Sequence, residues 1–83
     1  MEYDVVLLKA MKSGKNLAYI HEGKASEAYI LLIADLFGWF GLPEYGIDPH
    51  DNVAVVGVDS YKTIEEAENV KEEWEKYNEI YSN

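Results

Sequence analysis

The chain has 83 residues, a formal net charge of −9, and neither cysteine nor arginine. A single domain of this size (1–83) buries roughly 60% of its unfolded surface, and it must hold without disulfides or zinc–thiolate sites. A strongly negative balance without arginine's planar fork argues against direct binding of DNA, RNA or nucleotides, whose phosphates it repels.

The opening segment reads two ways. Tyr3-Asp4-Val5-Val6-Leu7-Leu8 suits a buried strand. Leu7 to Gly14, with lysines before a glycine, suits a helix end. The strand is the preferred reading, and Ser13-Gly14 then turns a hairpin. Asn16–His21 follows as a second strand. Ser26 caps a helix that begins with Glu27, an acid favoured by the helix dipole. This helix is apolar nearly all round through Phe37, so it is either the central core helix or one of its sides faces a second subunit. Gly38 or Gly41 ends it, ahead of Pro43.

Residues 38–49 read as a long aromatic loop. Val53–Val58 is the clearest strand, and its lack of polar alternation predicts a central position covered on both faces. Thr63 and Glu66 form a capping box for the last helix. Along that helix Ile64, Ala67, Val70, Trp74, Tyr77 and Tyr81 form an apolar stripe. Glu65, Glu68, Glu72, Glu75 and Glu79 follow the same steps, offset by two residues, which sets them nearly opposite it. The pairs Glu68–Lys71 and Glu72–Lys76 are expected to offset some of the like-charge repulsion. The expected class is therefore α+β, a small three-stranded sheet with two helices in the order β-β-α-β-α. The order α-β-α-β-α follows if the first element is helical.

Charge is placed unevenly along this layout. Residues 1–33 carry four acids and four lysines, whereas residues 34–83 carry twelve acids and three lysines and so hold the whole −9. The helix from Glu65 to Glu79 is about 21 Å long and carries roughly one acid per 3 Å. A DNA strand carries one phosphate per about 3.4 Å. A rigid row of glutamates can thus fill a groove built for a phosphate backbone. A solvated outer face is the plainer account of the same residues.

Candidate chemistry is sparse. Asp48-Pro49-His50-Asp51-Asn52 holds metal-type ligands, but its spacing matches no metal motif and its residues are turn formers. His21 reads as structural. Asp35, the lone charge in an apolar helix, could serve as an acid or base if buried, and more often such a residue faces the rim or meets a lysine; Asp59 and Ser60, after the best strand, find no partner at a recognisable spacing. Lys12-Ser13-Gly14-Lys15 lacks the upstream glycine of a phosphate loop, and no nucleophile elbow is present. No catalytic residue, cofactor or metal is expected.

The leading expectation is a non-enzymatic acidic module that binds a basic protein, one that itself binds nucleic acid. Its contacts would be Glu65, Glu68, Glu72, Glu75 and Glu79, with Trp39 and Phe40. In composition alone the chain is similar to small phage-encoded inhibitors that mimic nucleic acid, a likeness that carries over no residue. One alternative is an assembly module, a homodimer through the apolar helix and the aromatic loop, and a ligand-binding domain or small enzyme is the other. Glu2 and Asp4 stand where a signal peptide would be basic, and the apolar run 28–40 is shorter than the about 20 residues of a membrane span. A cytoplasmic protein without membrane attachment is expected.

Overall fold

The computed structural model describes residues 1–81, with side chains described through Asn78. Strand β1 (Tyr3–Ala10) pairs antiparallel with β2 (Lys15–Glu22) on one side and β3 (Val53–Tyr61) on the other, giving the sheet order β2-β1-β3. Helix α1 (Glu27–Phe40) and helix α2 (Ile64–Tyr81) complete the order β-β-α-β-α, an α+β fold. The first element is a strand. Its valines and leucines alternate between two covered faces, and Gly14, at φ 76°, supplies the left-handed turn that sends the chain back as β2.

The two helices lie on opposite faces of the sheet. Val6, Leu8 and Ala10 point to the α1 side, where they pack with Leu17, Ala34, Ile47 and Val53. Val5 points to the α2 side and packs with Ala18 and Ala67, flanked by Leu7, Val70 and Trp74. Successive strand residues therefore serve two cores, which is why β1 shows no polar alternation. Helix α1 lies chiefly over β3, and α2 lies chiefly over β2 and β1.

β3 departs from expectation. It is an edge strand, not a central one, and Val56 and Val58 are exposed. The central strand is β1, despite Asp4 and Lys9 in its sequence. Leu7 pairs with Gly57 and Leu8 with Val55, leaving Val56 as the extra residue of a β-bulge.

Helix α1 also runs on past Gly38. The Ser26 side chain accepts the Tyr29 N–H at 3.2 Å to cap its start. Gly41, at φ 72°, ends it. Trp39 and Phe40, expected in a loop, are thus the last turn of the helix. Gly38 remains inside because the helix crosses the 51–53 segment there at close range; a Cβ would fall 2.5 Å from the Asp51 carbonyl oxygen. After Gly41 a short 3-10 turn (Pro43–Tyr45) folds back, and the Leu42 N–H bonds the Ile47 carbonyl at 2.8 Å, which buries Ile47. Thr63 and Glu66 cap α2 as a pair: the Glu66 N–H bonds Thr63 Oγ1 at 3.2 Å, and the Thr63 hydroxyl, in turn, donates to the Glu66 carboxylate at 3.1 Å.

Candidate functional site

Three regions hold the residues of interest: the outer face of α2, the seam between α2 and β2, and the uncovered side of α1 with β3.

On α2, Glu65, Glu68 and Glu72 are exposed, as are Glu66 and Glu73 on the neighbouring faces. Glu75 does not join them. It directly follows Trp74, which places it only about 100° from that core residue rather than opposite it. Its carboxylate turns to the edge of β2, where Oε2 accepts the Ala18 N–H at 2.9 Å and the Lys71 ammonium at 2.6 Å. The Tyr45 hydroxyl adds a bond at 3.2 Å. Lys71 therefore pairs with Glu75, not with Glu68 as its spacing suggested. Burial lowers the Lys71 pKa, but its bonds to Glu75 and Tyr45 outweigh this and hold it above the usual lysine value. The Glu79 side chain lies outside the described residues.

That seam closes one edge of the sheet. Ala18 receives Glu75 on its N–H and gives its carbonyl to Lys71 at 2.8 Å. Two residues earlier, the Asn78 side-chain amide bonds both the N–H and the carbonyl of Asn16, each at 2.7 Å. Residues 71, 75 and 78 lie on one face of α2 and meet the outward peptide groups of β2, as a fourth strand would. Trp74, between them, donates its indole N–H to the Leu8 and Leu17 carbonyls at 3.0 and 2.9 Å. The sequence carried a signal for this seam, since a lysine, a glutamate and an asparagine stand at helical spacing beside the half-buried tryptophan.

The opposite edge is open. Among the described residues, no helix side chain bonds the outer backbone of β3. Beside it, α1 leaves Leu31 (53%), Leu32 (50%), Leu36 (41%) and Trp39 (61%) exposed. Helix α1 is therefore not the central core helix; its inner stripe of Ile30, Ala34, Phe37 and Gly38 is covered and its outer side is bare. Phe40 is exposed too, on the flank away from β3.

A cleft of about 520 Å³ separates this side of α1 from the start of β3. It brings His50, from the turn before β3, to Asp35 and Trp39, which stand one turn apart on α1. The His50 ring meets the Trp39 indole edge-on at 4.6 Å, and its backbone takes the left-handed conformation at φ 67°. Asp51 in the cleft wall is already committed. Burial pushes its carboxyl pKa up, but the N–H groups of Lys12, Ser13 and Asn52 pull it further the other way, below the ordinary value. Asp48–Asn52 is thus the turn its composition predicts. Asp59 is exposed on β3. His21 packs against Tyr29 at 5.2 Å and bonds the Gly23 carbonyl, a structural placement.

Comparison with family models, curated proteins and solved structures returns no match, so the fold and the surfaces above carry the functional argument.

Proposed function

We propose that this chain is a non-catalytic protein-interaction module that works by apolar assembly. The observation that carries this reading is the bare outer side of α1 beside the open strand β3. Four large side chains on one helix, each between 41% and 61% exposed, stand around the exposed Asp35 as a largely apolar surface. The acidic helix lies on the other face of the sheet and keeps the molecule apart from its neighbours there. A reducing cytoplasm suits a chain without cysteine.

The test is to replace Leu32 and Leu36 together by glutamate and compare the two proteins by sedimentation and by capture of bound protein at low and high salt. The wild type associates in a largely salt-independent way, and the double variant does not. Equal behaviour of the two would overturn the reading.

A second reading rests on Glu65, Glu68 and Glu72, which stand exposed in one line on α2. Here the chain is an inhibitor of the phage-encoded kind. It occupies the groove of a basic nucleic-acid-binding protein in place of a phosphate backbone. Loss of Glu75 from the row weakens the likeness, since the remaining line spans about 10 Å, or three phosphate spacings. Lysine at all three positions abolishes binding under this reading, and added DNA competes for the same partner.

A further inference from the structure

We infer that the occupant of the open side is a second copy of this chain, joined by antiparallel pairing of β3 with β3 into one six-stranded sheet. This rests on the apolar-assembly reading above and names its partner. The two sheet edges are treated differently. α2 side chains occupy the outward peptide groups of Asn16 and Ala18 on β2, as a protein guards an edge against pairing. β3 is nine residues long and has neither proline nor lysine, and it leaves Val56 and Val58 exposed. Such an edge is a template for another strand.

The chemistry of the edge is self-complementary about a two-fold axis at Val58. In that register Val58 meets its own counterpart on the α1 face. On the α2 face Asp59 lies opposite Gly57 of the second copy, where a Cβ would meet only open space. Asp59 then never faces Asp59, which a dyad one residue later would require. The bulge at Val56 falls at the end of the paired window, opposite Ser60 of the second copy.

The helices agree with this axis. α1 lies over β3, so the two α1 helices flank the dyad on one face, with Leu31 and Trp39 on the side of each helix turned toward it. On the side of α1 turned toward the axis, Leu31 and Trp39 join Val56 and Val58 to expose on the order of 400 Å² per protomer, about half the ~800 Å² per partner of a standard interface before the strand backbone is counted. α2 lies over β2 and β1, away from the axis. At ~4.8 Å per strand the two acidic helices stand about 20 Å apart, beyond two Debye lengths at physiological salt. The charge of α2 therefore does not oppose this contact.

The absence of cysteine makes the test direct. Single cysteines are placed at each position from 54 to 60, oxidised, and scored for covalent dimer, while sedimentation equilibrium gives the mass of the unmodified chain. A dimer of twice 9.5 kDa is expected, with cross-linking strongest for Val58→Cys and falling on either side. Val58→Lys should give a monomer that keeps its circular dichroism, and Leu31→Glu should weaken the dimer from the helix side. A monomer at several hundred micromolar overturns the inference, as does a flat cross-linking profile. A dimer broken by Leu31→Glu but untouched by Val58→Lys overturns strand pairing and leaves the apolar reading standing. A wild-type chain that stays monomeric but takes up a foreign strand along β3 also overturns it, by assigning the edge to another protein.

Discussion

Glu75 reaches across from α2 to take the backbone N–H of Ala18 at 2.9 Å, and that single bond reassigns a residue from the surface charge to the fold. An acid in a glutamate-rich helix reads as solvated by default. Here it closes the edge of a sheet, with Lys71 holding it and the Tyr45 hydroxyl bonding it from the loop. The consequence is functional as well as structural. The acidic row loses a member from its middle, and β3 becomes the edge at which backbone remains open.

Glu75→Ala should therefore destabilise the protein more than any other single glutamate substitution on α2. It strips the Ala18 N–H and leaves Lys71, itself partly buried, without its counter-charge. A loss of about 1–3 kcal/mol is expected, against about 0.5 kcal/mol or less for Glu68→Ala or Glu72→Ala. Urea denaturation of the three variants decides it; equal midpoints would return Glu75 to the solvated face.

Acid should unfold the chain through Asp4. This buried carboxylate accepts the Ser60 hydroxyl, its largest stabilising contact, and the Ala25 N–H at 2.9 Å, and its pKa lies below the ordinary aspartate value. A folded pKa below the unfolded one means the stabilisation is fully present above about pH 4 and is lost as pH falls through the folded value. Asp51 is shifted in the same direction and adds to the effect. The urea midpoint of the wild type should hold between pH 5 and 7 and drop below pH 4. Asp4→Asn should start lower and lose less on acidification. If both proteins showed the same slope below pH 4, Asp4 would not be the acid-sensitive group.

Much of this architecture was legible from local chemistry. Thr63 and Glu66 announced the start of α2 and Ser26 the start of α1, whereas Gly14 suited a helix end as well as the hairpin it turns. What stayed hidden depended on neighbours. The run Val53–Val58 is apolar on both faces whether or not anything covers it, so hydropathy alone made β3 look central. The true central strand carries Asp4 and Lys9, because Ser60 and Ala25 satisfy the aspartate from other parts of the chain. Trp39 looked like a loop residue because Gly38 looked like a stop, yet that glycine is set by a crossing with residues 51–53. Asp35 and His50 share a cleft that no sequence spacing reveals.

Trp74 should report on the seam optically. Its indole N–H bridges the Leu8 and Leu17 carbonyls, so Trp74→Phe keeps most of the ring packing and removes the donor. A loss of about 1–2 kcal/mol is expected. Fluorescence separates the two indoles. Trp39 is 61% exposed in the single chain and Trp74 is half-buried in the α2 core, so in the monomeric Val58→Lys background the emission left after Trp74→Phe should be red-shifted relative to that left after Trp39→Phe. The reverse order would contradict the placement of both rings.

Gly38→Ala sets two effects against each other, and their sizes decide the sign. In an exposed helix interior the change from glycine to alanine stabilises by about 1 kcal/mol. At position 38 the new Cβ would sit 2.5 Å from the Asp51 carbonyl oxygen and 3.5 Å from the Val53 nitrogen, both backbone atoms that cannot swing aside. Relief requires α1 to lift from the start of β3, opening the packing of Ala34 and Val53. Overpacking of this kind costs about 1–3 kcal/mol or more, so a net loss is expected despite the better helix former. The control is Ala28→Gly on the exposed first turn, where propensity acts alone and destabilises by a similar about 1 kcal/mol. A Gly38→Ala protein with a raised melting temperature would mean that the helix does not cross residues 51–53 at contact distance, and the shape of the cleft beside Trp39 would have to be redrawn.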